Sequence, residues 1–230
     1  MNSLCVIVPF FNEEKFLKES FERINNLKIF DQIILVDDCS TDNSSNIGKK
    51  FVSEITYASY IKTEKNSGKG AALALAANFI NTSHVVIHDA DLEYYPIDIV
   101  EMYSKTVNNK DSLILGSRFI GNKLRENVYL RTYVANKVMS LFFSILNYYK
   151  VTDVATCYKL MPSNIFKKLN LTESGFSIEI EMLSKFLKYK KSIIEVPISY
   201  KGRSYSEGKK IRSIDGFYYI LNTIKYRYFF

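Results

Sequence analysis

Short apolar runs alternate with amphipathic segments along the first quarter of the chain. Residues 4–9 and 32–36 are predominantly apolar, as expected of parallel strands that are buried on both faces. Between them, apolar side chains from Phe16 to Ile24 recur at helical spacing, and residues 55–61 have the composition of a third strand. This alternation predicts an α/β fold with a Rossmann-like, mostly parallel central sheet flanked by helices.

A glycine-containing loop opens an alanine-rich helix within residues 65–77. Two interpretations of this segment remain open. Small residues allow a helix to pack closely on a sheet; alternatively, Lys69 and the free N–H groups at the start of the helix lie near phosphate. Further along, the pattern predicts a strand at 85–87, a helix at 97–107 and a strand at 112–116. The α/β alternation therefore continues through the middle of the chain.

Three carboxylates follow the strand at 85–87 at alternate positions: Asp89, Asp91 and Glu93. In open α/β sheets, ligands bind outside the carboxyl ends of the strands. Carboxylate oxygens are hard ligands of the kind that Mg²⁺ and Mn²⁺ prefer, often together with substrate phosphates. We therefore predict a Mg²⁺ or Mn²⁺ site at these three residues; the alternative is a solvated acidic turn after a strand.

The composition predicts one domain with anionic partners. The chain has 230 residues, of which 47% are hydrophobic, and no linker rich in Pro, Gly or Ser divides it. Its formal charge is +7, and residues 201–230 carry seven Lys or Arg against two acidic residues, a net +5. No nucleic-acid recognition motif accompanies this charge, so we expect phosphorylated substrates or anionic lipid as partners, and no nucleic acid. The three scattered cysteines give neither a disulfide pattern nor a zinc site.

Short motifs follow the predicted strands in a characteristic order. They are N-E-E at 12–14, V-D-D-C-S-T-D at 36–42, N-S-G-K-G at 66–70, D-A-D-L-E at 89–93 and G-S-R-F at 116–119. In this order they resemble family 2 inverting glycosyltransferases. The segments at 153–160, 195–200 and 202–211 extend the resemblance to the polyprenyl-phosphate sugar synthase branch, typified by dolichyl-phosphate mannose synthase. One departure is F-S-I-E-I-E-M-L at 176–183, where relatives commonly continue F-x-x-E with smaller or more polar residues.

The resemblance implies a GT-A type nucleotide-diphospho-sugar transferase fold for residues 1–230. It further implies a nucleotide-sugar-binding half at 1–117, an acceptor half at 118–230, and a GDP- or UDP-sugar as donor. The residues expected to bind the nucleotide sugar are Pro9, Phe11, Glu13, Val36, Asp37, Asp38, Lys69, Asp89, Ala90, Asp91, Arg203 and Lys209. Asp89, Asp91 and Glu93 are expected to hold the metal, which acts as a Lewis acid on the leaving phosphate. Asp38 has the alternative of capping a helix.

The same resemblance implies a polyprenyl or dolichyl phosphate as acceptor. Arginine binds phosphate bidentately, and Arg118, Arg131 and Arg203 are the expected acceptor ligands. The expected catalytic residues are Asp89, Asp91, Asp153 and Arg118. An ionised phosphate needs no strong base, whereas a saccharide or other hydroxyl acceptor in cell-surface polysaccharide synthesis would need one, with Asp153 as the candidate. A non-catalytic nucleotide-sugar-binding protein is a further alternative, which the intact acidic cluster disfavours.

Two apolar segments predict contact with a membrane surface. Residues 130–149 are apolar around much of the predicted helix, and residues 214–230 combine aromatic side chains with Lys225 and Arg227, as in helices of the lipid headgroup region. Packing in the core or between the copies of a homo-oligomer is the alternative. No apolar run reaches the length of about 18 residues that spans a bilayer, and the N-terminus enters a strand directly. We therefore expect a cytoplasmic protein, peripheral at the cytoplasmic face of the membrane.

Overall fold

The computed structural model describes residues 2–175, 177–189, 192–203 and 213–229. Its strands are β1 (Leu4–Phe10), β2 (Gln32–Asp37), β3 (Ala58–Lys62), β4 (His84–Ile87), β5 (Leu113–Ser117), β6 (Arg125–Glu126), β7 (Lys159–Pro162), β8 (Ile193–Pro197) and β9 (Tyr200–Lys201). Its α-helices are α1 (Glu14–Asn26), α2 (Ser44–Glu54), α3 (Lys69–Ala76), α4 (Asp98–Lys105), α5 (Leu130–Asn147), α6 (Ser163–Lys168), α7 (Ile178–Tyr189) and α8 (Ser213–Tyr228).

Seven strands form one sheet in the order β3-β2-β1-β4-β7-β5-β8, and β6 pairs separately with β9. The neighbours in the large sheet are parallel, except that β7 runs antiparallel to both β4 and β5. The predicted mostly parallel central sheet is therefore confirmed. Because β7 lies between two strands of the first 117 residues, the two predicted halves share this sheet.

The parallel strands direct their carboxyl ends to one edge of the sheet. The loops that follow β1, β2, β4 and β5 therefore meet at this edge, as does the segment after β8. Because β7 runs in the opposite direction, its first residue, Lys159, lies at this edge and pairs with Leu115 of β5. Side chains from distant parts of the sequence are thus brought together where the parallel strands end.

The core lies on the faces of the sheet. Every residue of β1, β4 and β5 is buried. On α1, Leu17, Phe21 and Ile24 are buried, and they belong to the apolar stripe predicted from the sequence. Full burial of one such side chain contributes about 1.5–3 kcal/mol. The third strand begins at Ala58, three residues later than predicted. The reason is that α2 continues to Glu54 with Ile55 as its C-cap residue, and a turn precedes the strand.

The helices α5 and α8 pack against each other and carry an apolar outer surface. The exposed apolar residues on them include Leu130, Val134, Val138, Leu141, Ile145, Ile220, Leu221 and Ile224. Among the residues that the structure describes, no helix has the combination of length and apolar character needed to cross a membrane.

The glycine loop before α3 packs backbone to backbone against residues 173–175. Gly68 has a φ of +87°, a conformation that strains residues with a Cβ atom. Gly70 donates its N–H to the Ser174 carbonyl oxygen at 2.8 Å. A Cβ atom at Gly70 would lie 1.7 Å from the Glu173 carbonyl oxygen. The small residues of this segment therefore allow close packing on residues 173–175, while α3 itself packs on β1 and β2 of the sheet, as the close-packing interpretation predicted.

The substitution Gly70→Ala should lower the free energy of unfolding by about 1–3 kcal/mol, because a backbone carbonyl must move to admit the new methyl group. Urea denaturation measures this change. The control is Gly216→Ala in α8, where no described atom lies within 4 Å of a built Cβ atom. Alanine at that helical position should be neutral or stabilise by up to about 1 kcal/mol. Equal stabilities of the two variants would contradict the contact.

Candidate active site

A cleft of about 300 Å³ opens at the carboxyl-terminal edge of the sheet, and we call it the donor cleft. The sequence-predicted residues that line it are Pro9, Phe11, Glu13, Asp38, Lys69, Asp89, Ala90, Asp91, Glu93, Arg118 and Arg203. Val36 and Asp37 are buried in β2 and do not line the donor cleft. Lys209 lies outside the described residues. The structure thus brings most of the predicted donor-binding residues into one cleft.

A chain of four charged groups borders the donor cleft. The Lys69 ammonium group lies 2.7 Å from Asp89 Oδ1 and 2.9 Å from Glu179 Oε1. Glu179 also binds Lys159, which is completely buried. Burial alone would lower the pKa of Lys69, but Asp89 in particular raises it well above its ordinary value. Burial likewise would raise the pKa of Asp89, and Lys69 holds it below its ordinary value. The two carboxylates and two ammonium groups therefore balance each other's charge.

Arg203 reaches across the donor cleft from the segment after β9. Its guanidinium group lies 3.0 Å from Glu13 and 3.1 Å from Asp91. Its backbone N–H donates to Glu93 Oε1 at 2.7 Å, and the other Glu93 oxygen accepts a hydrogen bond from the Tyr200 hydroxyl at 2.7 Å. Glu93 thus holds the segment that carries Arg203 over the donor cleft.

Asp91 lies in a region of negative potential. Burial and the neighbouring Glu93 and Asp89 raise the pKa of Asp91 to about 7, although Arg203 acts in the opposite sense. Such a carboxylate favours a nearby cation. Among the described residues, however, no three His, Cys, Asp or Glu side chains are grouped to hold a metal ion. The structure therefore does not group the three predicted carboxylates around a common point: Glu93 binds Tyr200 and Arg203, Asp91 binds Arg203, and Asp89 binds Lys69.

The two aspartates at the end of β2 hold loops in place. Asp37 is fully buried and accepts a hydrogen bond from the Tyr60 hydroxyl at 2.6 Å, besides bonds from two serines. Burial would raise the pKa of Asp37, but these hydrogen bonds lower it overall. Asp38 accepts the N–H groups of Ser67 at 2.9 Å and Gly68 at 2.6 Å. Asp37 therefore holds the loop after β2 and does not line the donor cleft, so its expected contact with the nucleotide stays a prediction, and Asp38 fixes the glycine loop beside the donor cleft.

Asp153 and Arg118 form a buried ion pair. Asp153 Oδ2 accepts the Arg118 Nε–H at 2.7 Å and its backbone N–H at 3.0 Å, and Oδ1 accepts Nη2–H at 2.8 Å. Burial would lower the pKa of Arg118, but Asp153 raises it well above its ordinary value. Asp153 is fully buried and both of its carboxylate oxygens are bound to Arg118, so it orients Arg118 in this structure, and its expected catalytic role stays a prediction.

A second cavity of about 560 Å³, which we call the acceptor cavity, shares Arg118 and Tyr200 with the donor cleft. Its other lining residues are Phe119, Arg125, Asn127, Val128, Tyr129, Leu130, Thr132, Tyr133 and Asn136. Arg131, a predicted acceptor ligand, is exposed at the start of α5 and is not part of this lining. Arg125, which the sequence interpretation did not select, lines the cavity instead. The acceptor cavity therefore combines arginines with aromatic and aliphatic walls.

Glu179, Lys159 and Tyr200 belong to the site but were not selected from the sequence. For the first two, the signal was a charged residue within an otherwise apolar segment, I-E-I-E-M-L for Glu179 and K-L-M-P for Lys159. Charges in such segments are rarely buried unless they are paired. No comparable local signal marked Tyr200, because its partner Glu93 is 107 residues away in the sequence.

Comparison with known proteins identifies close resemblances in sequence. The model of the family described as glycosyl transferase family 2 matches residues 5–169. The chain is 29% identical to UDP-N-acetylglucosamine–dolichyl-phosphate N-acetylglucosaminyltransferase of Methanococcus voltae, an alignment that covers 93% of this chain and 92% of the relative. It is 26% identical to dolichol-phosphate mannosyltransferase of Pyrococcus furiosus, over 90% of this chain and 58% of the relative.

Solved structures resemble the chain in fold. Glucosyl-3-phosphoglycerate synthase of Mycobacterium tuberculosis, in complex with Mn²⁺, UDP and glucosyl-3-phosphoglycerate, matches with a TM-score of 0.74 at 16% identity, over 98% of this chain and 80% of that one. Its complex with Mg²⁺ and UDP also matches with a TM-score of 0.74. The predicted GT-A type fold is therefore confirmed. The family match over most of the sequence shows that the chain belongs to glycosyl transferase family 2 and is a nucleotide-sugar-dependent glycosyltransferase.

Proposed function

We propose that this protein transfers a sugar, with inversion at the anomeric carbon, from a nucleotide-diphosphate sugar to a polyprenyl or dolichyl phosphate at a membrane surface. The observation that carries this proposal is the position of Arg118, which lines both the donor cleft and the acceptor cavity. A cation between two cavities can neutralise a phosphate on either side of it. The names of the archaeal relatives, which specify dolichyl phosphate or dolichol phosphate, support the same acceptor class.

The donor cleft has the chemistry of a diphosphate site. Lys69 stands at the first position of α3, where the helix dipole favours an anion. Arg203 spans the opposite side of the cleft. These two cations would bind the diphosphate of a UDP- or GDP-sugar, and Phe11 and Pro9 would border its nucleoside.

The cofactor in this proposal is Mg²⁺ or Mn²⁺, held by Asp89 and Asp91. Both carboxylates line the donor cleft, and the phosphates of the donor would complete the set of oxygen ligands. When bound, the ion would supply Lewis-acid stabilisation of the leaving diphosphate. Complexes of the Mycobacterium tuberculosis synthase with UDP and Mn²⁺ or Mg²⁺ support this cofactor class.

The acceptor cavity suits an amphipathic anion. Arg118 and Arg125 can bind a phosphate headgroup, and Phe119, Leu130 and Tyr133 offer apolar surface to the first isoprene units. A lipid phosphate is ionised at neutral pH, so its oxygen can attack the anomeric carbon without a base. Asp153 then has the role of keeping Arg118 charged and aimed at both cavities. Arg131, beside the cavity, would contribute to attraction of the headgroup.

The apolar surface of α5 and α8 would place this cavity at the membrane. Leu130 belongs both to that surface and to the lining of the acceptor cavity, so the two are continuous. Arg227 of α8 would face anionic headgroups, whereas Lys225 is bound to Glu173. A chain that takes its donor from the cytosol would bind at the cytoplasmic face. The alternative is that a second copy of the chain binds to the apolar surface of α5 and α8.

Removal of the metal should abolish transfer. EDTA should reduce the incorporation of labelled sugar into polyprenyl phosphate by about a hundredfold or more, and Mn²⁺ in excess should restore it. Asp91→Asn should cause a similar loss that Mn²⁺ does not restore. The control Glu22→Gln alters an exposed carboxylate on α1 and should retain full activity. Undiminished turnover in EDTA would remove the metal from the mechanism.

The arginines of the acceptor cavity should control use of the lipid phosphate. A hydrogen bond to a charged group contributes about 1.5–3 kcal/mol, so Arg125→Ala should lower kcat/KM for polyprenyl phosphate by roughly 10- to 150-fold. Arg131→Ala should have a smaller effect, since Arg131 does not line the cavity. Arg118→Lys keeps the charge but loses the bidentate fork, and its kcat/KM should fall between that of Arg118→Ala and that of the wild type. The control is Arg23→Ala on α1. Values within twofold of the wild type for Arg125→Ala and Arg118→Lys would contradict a phosphate acceptor here.

Asp153→Asn should lower the free energy of unfolding by about 3 kcal/mol or more, because it leaves the Arg118 charge buried without its partner. Urea denaturation of the variant, beside the exposed control Glu22→Gln, measures this effect. The loss of stability follows from the ion pair whichever acceptor is used, so the pH dependence of the wild type separates the two acceptors: with a hydroxyl acceptor, the rate should rise with pH through the pKa of the base. That result would replace the phosphate acceptor with a hydroxyl.

A further inference from the structure

We propose that α8 positions the diphosphate-binding glycine loop, with Glu173 as the positioning residue that connects the two. The inference rests on the proposed donor site and adds to it a contribution from the C-terminal helix. Its basis is a continuous path of hydrogen bonds and backbone contacts from α8, through residues 172–174, to Lys69 in the donor cleft.

The first step of the path joins α8 to Glu173. Lys225 Nζ lies 2.7 Å from Glu173 Oε1, and the Tyr226 hydroxyl donates to the same oxygen at 2.8 Å. Asn222 Nδ2 donates to Glu173 Oε2 at 3.2 Å. Three side chains of one helix thus bind one carboxylate, and burial of the Tyr226 side chain fixes the direction of its hydroxyl. The position of Glu173 therefore follows the position of α8.

The other side of the segment is fixed by α7. The buried carboxylate of Glu181 accepts the backbone N–H of Thr172 at 2.9 Å and that of Glu173 at 2.8 Å. Lys185 neutralises Glu181 at 2.6 Å. The Thr172 hydroxyl lies 3.2 Å from the Tyr226 hydroxyl. Residues 172–173 are therefore held between α7 and α8, and they have little freedom to absorb a displacement of either helix.

The second step joins this segment to the glycine loop. The Ser174 carbonyl oxygen accepts the Gly70 N–H at 2.8 Å, and the Glu173 carbonyl lies where a Cβ atom of Gly70 would be. Gly68 is also close to this segment, since a Cβ atom there would lie 2.3 Å from the Ser174 oxygen. Contacts between backbone atoms cannot adjust by changing a rotamer. A shift of residues 173–174 therefore moves the loop itself.

The third step reaches the donor cleft. Lys69 lies between these two glycines, and its ammonium group bridges Asp89 and Glu179 across distances of 2.7 and 2.9 Å. A shift of the loop would change both distances and the place that Lys69 offers to a phosphate. Tyr219 of α8 also lines the donor cleft, so the helix borders the same space directly.

The test compares the binding of a nucleoside diphosphate with that of its nucleoside. Calorimetry with Mn²⁺ first establishes whether UDP or GDP binds to the full chain. Tyr226→Phe keeps the buried ring but removes one hydrogen bond to Glu173, and it should weaken binding of the diphosphate about three- to tenfold. Glu173→Gln should weaken binding of the diphosphate further.

The affinity for uridine or guanosine, measured by competition, should be unchanged within about twofold in both variants, because the nucleoside makes no use of Lys69. The control is Tyr228→Phe, which alters an exposed hydroxyl of the same helix.

The outcomes separate this inference from the proposed function. If the wild type binds neither UDP nor GDP, the proposed donor site fails, and the inference fails with it. If the wild type binds the diphosphate and both Tyr226→Phe and Glu173→Gln bind it equally well, the donor site stands and the positioning role is overturned. Equal weakening of the diphosphate and the nucleoside would also overturn it, since that pattern indicates general loosening of the cleft. Loss of diphosphate affinity alone supports it.

Discussion

The charge buried at the carboxyl-terminal edge of the sheet is the constraint on which the site depends. An ionised group is costly to bury unless it is paired, so each carboxylate there requires a cation. The pairs are Asp89 with Lys69, Asp91 with Arg203, Asp153 with Arg118, and Glu179 with Lys159. The partners of each pair come from separate segments, so pairing draws the loops after β4, β5 and β9 to one place. The site is therefore assembled by the same interactions that give it its electrostatic character.

The reversed direction of β7 is part of this arrangement. Asp153 precedes β7, and Lys159 is its first residue. If β7 were parallel to β4 and β5, the residues before it would lie at the opposite edge, about the length of the strand away from Arg118. An antiparallel strand inserted between two parallel ones delivers both charges to the edge where Arg118 and Glu179 need partners. The topology and the charge balance of the site thus depend on each other.

The sequence predicted the features that depend on local pattern and left open those that depend on distant partners. Buried strands, and the carboxylates that follow them, are evident from apolar runs and from where those runs end. The structural role of Glu93 was not evident, because its partners Tyr200 and Arg203 are 107 and 110 residues away. Asp37 is different, since two of its partners are serines only three and eight residues later. There the run of small polar residues was a usable signal for a capped loop, and the resemblance to nucleotide-binding motifs outweighed it.

The existing ion pairs also determine what the proposed donor must bring with it. Lys69 and Arg203 are bound to carboxylates, so a diphosphate alone would compete with Asp89 and Asp91 for them. A divalent cation bound by Asp89 and Asp91 would remove this competition, because each carboxylate would keep a positive partner while Lys69 and Arg203 became available to the phosphates. The buried charge would then stay balanced. Arg118 would need no such exchange, because it lines both cavities while both oxygens of Asp153 are bound to it. On the proposed function, the donor side of the site would therefore change partners when the donor binds, and the side shared with the acceptor would stay fixed.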